Sequence, residues 1–353
     1  MKRSLLFFLF AVVLLIAACE KPRQSPVAAS PDPRPVDADP EVVVTVASAS
    51  PSSPSPTFAP VPTPTPVPTP TPSPTPPPTP VPTPAGLIGG KYPVFSYEDE
   101  PVRTETEYKS DQLSITVTKY TGHPYSTGKL VYYVADIYLQ DLSSFRTAAA
   151  FGFPNRGHKN MMTVASGVNA ILAVNGDYYA GMQNTLIIRN GIVYQKSVAK
   201  GREVCILYRD GTIGVFQPQD LDLNALDIDS IWQAWQFGPS LINTDGTPRT
   251  DLVNIRNDKR NPRTVLGYYE PGHYCFVVVD GRSAASVGLD FADLAKLMVD
   301  LGCKQAYNFD GGATSQMYWN NAIYNVPCGN RSQVDILYLV EPTGDAPESE
   351  PDA

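Results

Sequence analysis

The chain has 353 residues and a formal charge of −8, with 27 Lys and Arg against 35 Asp and Glu. Its basic residues form no cluster beyond the extreme N-terminus, which excludes a nucleic-acid surface built on a basic patch. Most of the 36 prolines fall before residue 85, so the apolar content needed for a core is confined to one domain of roughly 250 residues.

Lys2 and Arg3 precede an apolar run from Leu5 to Ala18 that is short for a spanning helix and reads as an export signal. Its end, Ile16-Ala17-Ala18-Cys19, resembles a bacterial lipobox, which implies removal of residues 1–18 and lipidation of Cys19. Several acyl chains on one residue hold a protein on a membrane where one chain alone is marginal. The expected location is therefore the outer face of the bacterial cytoplasmic membrane, facing the cell wall or the exterior. Residues 19–85 have no core-forming pattern, and from Pro60 to Pro84 Pro alternates with Thr, Val or Ser. That composition predicts an extended polyproline stalk, about 80 Å long for this part alone.

The folded head, residues 86–342, opens with two strands: Leu113–Thr118, which alternates, and the longer Leu130–Leu139, rich in β-branched and aromatic residues. Residues Met161 to Ala170 predict a helix capped by Asn160 and feeding the strand Ile171–Val174, which runs into Asn175-Gly176-Asp177-Tyr178-Tyr179. Two hairpins follow, Leu186–Arg189 with Ile192–Tyr194 around Asn190-Gly191, and Cys205–Tyr208 with Thr212–Phe216 around Asp210-Gly211. Both dipeptides suit type I′ turns. After a polar loop come the strand Thr264–Tyr269, the buried strand Phe276–Val279 and the corner Asp280-Gly281-Arg282. A helix then carries Phe291, Leu294, Leu297, Met298 and Leu301 at helical spacing, with Asp290 to cap it and Gly302 to stop it.

A second strand ends at Asp310-Gly311-Gly312, and Val334–Val340 closes the domain ahead of an acidic tail, residues 343–353, expected to be disordered. Strand, crossover helix and strand predict adjacent parallel strands with a ligand site at their carboxyl ends. The long strand runs and two helices give an α+β class: a single domain with mixed β-sheets, several hairpins and few helices.

Asp177, Asp280 and Asp310 each follow a predicted apolar strand and adjoin glycines that let a ligand approach the backbone. Arg263 and Arg282 offer planar forks for a phosphate or carboxylate. Asn175, Asn308, Thr314 and Ser315 add neutral hydrogen-bonding groups, and Tyr178, Tyr179, Tyr318 and Trp319 add aromatic platforms. The combination points to a sugar bearing an anionic group. Cys205, Cys275, Cys303 and Cys328 remain once Cys19 is lipidated, an even number in an oxidising compartment. Three pairings are open; Cys303 with Cys328 is favoured because they flank the Asp310 turn. Zinc is disfavoured, because the cysteines are scattered and His123, His158 and His273 lie at no ligand spacing from them.

NGDYY at 175–179, FGPSLI at 237–242, RNPRTVLGYY at 260–269, VVVDGRSAASVGL at 277–289, NFDGGATSQM at 308–317 and RSQVDILYLV at 331–340 together resemble the phosphodiester glycosidase family. The resemblance implies hydrolysis of the bond between a sugar's anomeric carbon and a phosphodiester oxygen, on cell-envelope or extracellular glycans. It implies that Asp177 and Asp310 bind the sugar and steady charge at C1, and that Asp280 activates water or positions Arg282. Arg263 and Arg282 then hold the phosphate, while Asn175, Asn308, Gly311, Gly312, Thr314 and Ser315 line the substrate. No cofactor is implied, although three aspartates leave room for a divalent metal. The partners expected are the glycan substrate and, through the lipid anchor, a membrane. One departure is visible: where the family carries a third glycine and a serine pair, this chain has Ala313 and Thr314-Ser315, and alanine restricts φ. The competing readings are a non-catalytic glycan-binding lipoprotein and a metal-dependent phosphodiesterase, the latter wanting clustered His and Asp ligands.

Overall fold

A computed structural model describes residues 101–122, 128–253, 255 and 257–342. The export signal, Cys19, the Pro-rich stalk, the first residues assigned to the head, His123 and the acidic tail lie outside the described residues. In chain order the strands are β1 (Val102–Arg103), β2 (Glu107–Lys109), β3 (Leu113–Thr121), β4 (Val131–Leu139), β5 (Phe145–Ala149), β6 (Leu172–Asn175), β7 (Ile187–Arg189), β8 (Ile192–Gln195), β9 (Val204–Tyr208), β10 (Ile213–Phe216), β11 (Ile231–Gln236), β12 (Arg263–Glu270), β13 (His273–Val279), β14 (Gln305–Asn308), β15 (Met317–Trp319), β16 (Ala322–Ile323) and β17 (Asp335–Leu339). Two α-helices interrupt them, α1 (Met161–Gly167) and α2 (Phe291–Asp300).

These strands form three sheets, ordered β1-β2-β3-β4-β13-β12-β14, β10-β9-β11-β7-β8 and β16-β15-β6-β17-β5. Period-2 alternation explains how they share one core. On β13, Tyr274, Phe276 and Val278 face a central cluster that also takes Leu172 and Val174 from β6, Cys205 and Leu207 from β9, and Leu337 and Leu339 from β17. The alternate residues Cys275, Val277 and Val279 face the opposite way, beneath Leu294, Leu297 and Met298 of α2. The third sheet is backed in the same manner by α1, where Ala173, Ile336 and Tyr338 meet Met161 and Val164. With both faces covered, the central strands are apolar throughout, as the unbroken apolar run into Asp280 shows.

α2 forms as expected. Asp290 caps it by accepting from the Asp293 backbone N–H at 2.9 Å, the five apolar positions are buried, and Gly302 ends it at φ +84°. α1 is shorter than predicted, stopping at Gly167, because Asn169 turns the chain with φ +51°. Asn190 and Gly191 both have positive φ, as a type I′ turn requires. Asp210 does not: only Gly211 has positive φ, and the Gly211 N–H returns to the Tyr208 carbonyl while Tyr208 N–H bonds Thr212. That hairpin is a type I turn with a glycine bulge.

The crossover also differs from expectation. β13 and β14 run in the same direction, but β12 lies between them and pairs antiparallel with both. The β12–β13 hairpin closes through Pro271-Gly272 before the crossover begins, so it takes the place beside β13. The other described pairings are antiparallel too, so the sheets are not mixed.

Candidate active site

Three strand ends meet. β6 runs into Asn175, Gly176 and Asp177, β13 into Asp280, Gly281 and Arg282, and β14 into Asn308, Phe309 and Asp310. The Asn175 side chain donates to the Asp310 carbonyl at 2.7 Å, and the Asp310 N–H bonds the Gly176 carbonyl at 3.2 Å. Asn175 Oδ1 in turn accepts from Thr264 Oγ1 at 2.7 Å. Asn308 is buried and donates to the carbonyls of Gly238 and Phe309. Asn175 and Asn308 thus hold the turn from beneath and do not face solvent.

Asp310 occupies a pocket lined by Gly176, Tyr178, Thr314, Ser332, Gln333 and Asp335. Its side chain is 16% exposed, and Thr314 Oγ1 donates to its Oδ2 at 3.0 Å. Burial raises its pKa; the Thr314 hydroxyl and the charge of Arg331 oppose that. Arg331 stands 3.9 Å away, 47% exposed, with its guanidinium over the Tyr178 ring. Gly311 lies against the Pro262 carbonyl, and Gly312, at φ +74°, lies under the Arg282 guanidinium: a Cβ there would come within 3.2 Å of both terminal nitrogens. Arg282 is exposed, sits at φ +58°, and is braced by the Asn261 side chain at 2.7 Å. The Ser315 hydroxyl is buried without a hydrogen-bond partner. Ala313 keeps an ordinary negative φ, being absent from the positive-φ residues of this loop, so the position does not demand glycine.

Asp280 is buried on the other side of the turn. It accepts from Asn325 Nδ2 at 2.8 Å and from the Val326 N–H at 3.2 Å; desolvation raises its pKa and these donors counter the rise. Asn325 also donates to the Ser315 carbonyl at 3.1 Å, so Asp280 reaches the Asp310 turn through that amide.

Three expectations move. Asp177 is fully buried, accepts from Arg189 Nη2 at 2.9 Å and from the Gln236 N–H at 3.0 Å, and stands beside Asp335 on the same guanidinium. Arg263 is 3% exposed and donates to the carbonyls of Leu289, Asn257 and Lys259 while lying 3.8 Å over the Phe291 ring; burial lowers its pKa to about 10. It braces the 257–261 loop and presents no fork to a phosphate. Tyr179, Tyr318 and Trp319 are core residues, which leaves Tyr178 as the aromatic at the pocket.

The cysteines correct a further point. None of the four sulfurs is bonded to another in this structure, and Cys303 lies nearest Cys275, Sγ to Sγ 3.8 Å. Cys328 neighbours Gly329, which packs on Ala313 beside the Asp310 turn, while Cys303 lies at the opposite end of β14. Four residues of extended strand span roughly 13 Å, beyond disulfide reach.

Sequence reasoning missed Arg331, Arg189, Asp335 and Asn325. The first and third lie in the RSQVD segment at 331–335, where a charge flanking a closing strand was the available signal.

Residues 168–340 match the phosphodiester glycosidase family. The chain is 27% identical over 263 residues to the SPbeta prophage-derived uncharacterized protein YomE of Bacillus subtilis (strain 168), covering 70% of this chain and 40% of that protein. The chain thus spans well under half the length of that relative. Among solved structures, the zebrafish N-acetylglucosamine-1-phosphodiester α-N-acetylglucosaminidase catalytic domain, auto-inhibited by its pro-peptide, superposes with a TM-score of 0.55 at 16% identity, over 72% of this chain and 87% of that one. A hypothetical protein from Synechocystis gives a TM-score of 0.45 at 12% identity, over 65% and 63% of the two chains. The three converging strand ends, and the motif set they carry, lie in the segment of the chain, residues 168–340, that matches the phosphodiester glycosidase family.

Proposed function

We propose that the domain hydrolyses the glycosidic C1–O bond of a sugar 1-phosphodiester on cell-envelope or extracellular glycans, releasing the sugar and a phosphomonoester. One observation carries this reading: a half-buried carboxylate, Asp310, lines a pocket and has an exposed arginine, Arg331, 3.9 Å from it, with a second arginine, Arg282, lying over Gly312 of the same turn. Breaking C1–O develops oxocarbenium character, which a nearby carboxylate stabilises. The departing phosphomonoester has a last pKa of about 6 and leaves without strong acid help, so positive charge matters more than a proton donor. Asp310 steadies C1, Arg331 and Arg282 hold the phosphate, and Tyr178 packs on the sugar face. Asp280 acts through Asn325 to position the Ser315 end of the turn. The lipobox and stalk support display of the head outside the cytoplasmic membrane, anchored through Cys19.

A second reading, glycan binding without cleavage, is favoured by the burial of Asp177 and Asp335, which leaves Asp310 as the partly exposed carboxylate of the pocket. The products decide. The purified protein is incubated with a panel of sugar 1-phosphodiesters, UDP-sugars among them, and followed by NMR. Free reducing sugar with an intact phosphomonoester is the expected outcome. Sugar phosphate instead would mean P–O cleavage, and saturable binding without turnover over the panel would establish the binder.

A further inference from the structure

We infer that Cys275 and Cys303 are joined by a disulfide in the mature protein, a covalent tie between β13, which leads to the Arg282 corner, and the turn that feeds β14 and the Asp310 turn. Cys275 lies midway along β13 with its side chain on the face covered by α2. Cys303 lies in the turn that leads α2 into β14, and the next residue is held against β12 by the Lys304 N–H on the Tyr268 carbonyl at 2.8 Å. β12 separates the two strands, and neighbouring strands lie about 4.8 Å apart. A side chain on β12 at this level would keep the sulfurs apart.

The residue at that level is Gly267, paired with Cys275 on one side and Ala306 on the other. A Cβ on Gly267 would come within 2.5 Å of Cys275 Sγ and 2.7 Å of Cys303 Sγ. The two sulfurs therefore meet in the space that any other residue would fill, at 3.8 Å. Cys205 lies in the core shared by the sheets and Cys328 beside the Asp310 turn, so neither competes. The loop closed by the bond contains the whole crossover, Asp280 and Arg282 included, and its far end is continuous with Asn308 and Asp310.

Both sulfurs are buried in the folded chain, so the bond forms while α2 is still undocked. Each thiol gives up a proton and, together, they pass two electrons to the disulfide of an exchange partner, such as glutathione disulfide or an oxidoreductase, which leaves as two thiols. The inference is independent of what the pocket binds.

The test is a disulfide map. The full chain is unfolded under reducing conditions, refolded in mixed reduced and oxidised glutathione, alkylated in denaturant, digested, and analysed by mass spectrometry. A linked peptide pair containing Cys275 and Cys303, absent after reduction, is expected. Its melting temperature should exceed that of the reduced protein by about 10 °C, and Cys275→Ser should abolish that difference. Alkylated Cys275 and Cys303 after oxidative refolding, or a linked Cys303–Cys328 pair, overturns the inference.

Discussion

Asp177 and Asp310 follow strands of similar apolar character, sit beside glycines, and differ in what the rest of the chain brings to them. Arg189, from the first hairpin, neutralises Asp177 in a fully buried pair, whereas Asp310 keeps an exposed edge, one hydroxyl donor and an arginine at 3.9 Å. The chemistry assigned to Asp310 requires its charge, so Asp310→Asn should lower kcat by at least 10²-fold while leaving the melting temperature within a few degrees; a variant with full turnover would remove it from the mechanism. The two arginines separate in the same way. Arg331→Ala should raise KM for a phosphodiester at least tenfold with little change in stability, a difference of about 1.4 kcal/mol or more in binding. Arg263→Ala, which removes donors from three carbonyls in a buried site, should instead cost about 1–3 kcal/mol of stability in a urea melt and leave KM near its original value. If Arg263→Ala shifts KM and not the urea midpoint, the roles drawn for the two guanidiniums are reversed.

Elements were legible where one residue type dominated the pattern. β13, α2 and the Asn190-Gly191 turn announce themselves because apolar spacing, capping and positive φ act locally. β11 did not, since its Gln233 and Gln236 break the apolar run; both are fully buried and bonded, Gln233 to Asn190 and Thr147, Gln236 to Ala199 and Arg202. Buried polar groups satisfied by distant loops carry no local signature. The Asp177–Arg189–Asp335 cluster is of the same kind, tying the end of β6 to β7 and β17 across two sheets. One guanidinium faces two carboxylates there, and desolvation with the neighbouring Asp177 charge raises the pKa of Asp335. A carboxyl whose folded pKa lies above its unfolded value binds more protons when folded, so its contribution is present below about pH 4 and is lost as pH rises through the folded value. Asp335→Asn removes that loss and keeps the Arg189–Asp177 pair. Thermal melts from pH 4.5 to 8.5 should show the variant gaining on the parent steadily as pH rises; a constant offset across the range would show that Asp335 is charged throughout.

At the scale of the whole molecule, the pocket is built on the core the three sheets share. Phe309 sits between Asn308 and Asp310 in the sequence, yet its ring is 1% exposed and points into that core, edge-on to Trp235 of β11 at 5.6 Å and to Tyr307 at 5.5 Å. A turn that must present Asp310 to solvent is therefore pinned by an aromatic contact with a different sheet. No local pattern reveals this, because the partners are separated by more than seventy residues of intervening chain. Core volume is close-packed, and a shape change at Phe309 is felt by the backbone on either side of it. Phe309→Leu should cost about 1–3 kcal/mol of stability and lower kcat by roughly tenfold, since a misplacement of about 1 Å is costly to catalysis. The matched comparison is Ile206→Val on the outer face of the second sheet, buried among Leu186, Val204 and Ala234 in a cluster that holds no residue of the turn. It should lose about 0.5–1.5 kcal/mol with kcat unchanged. Both variants are measured at a temperature where each is fully folded. Equal kcat in the two would mean that the Asp310 turn holds its geometry without the shared core, and that the strand ends and their amides position it alone.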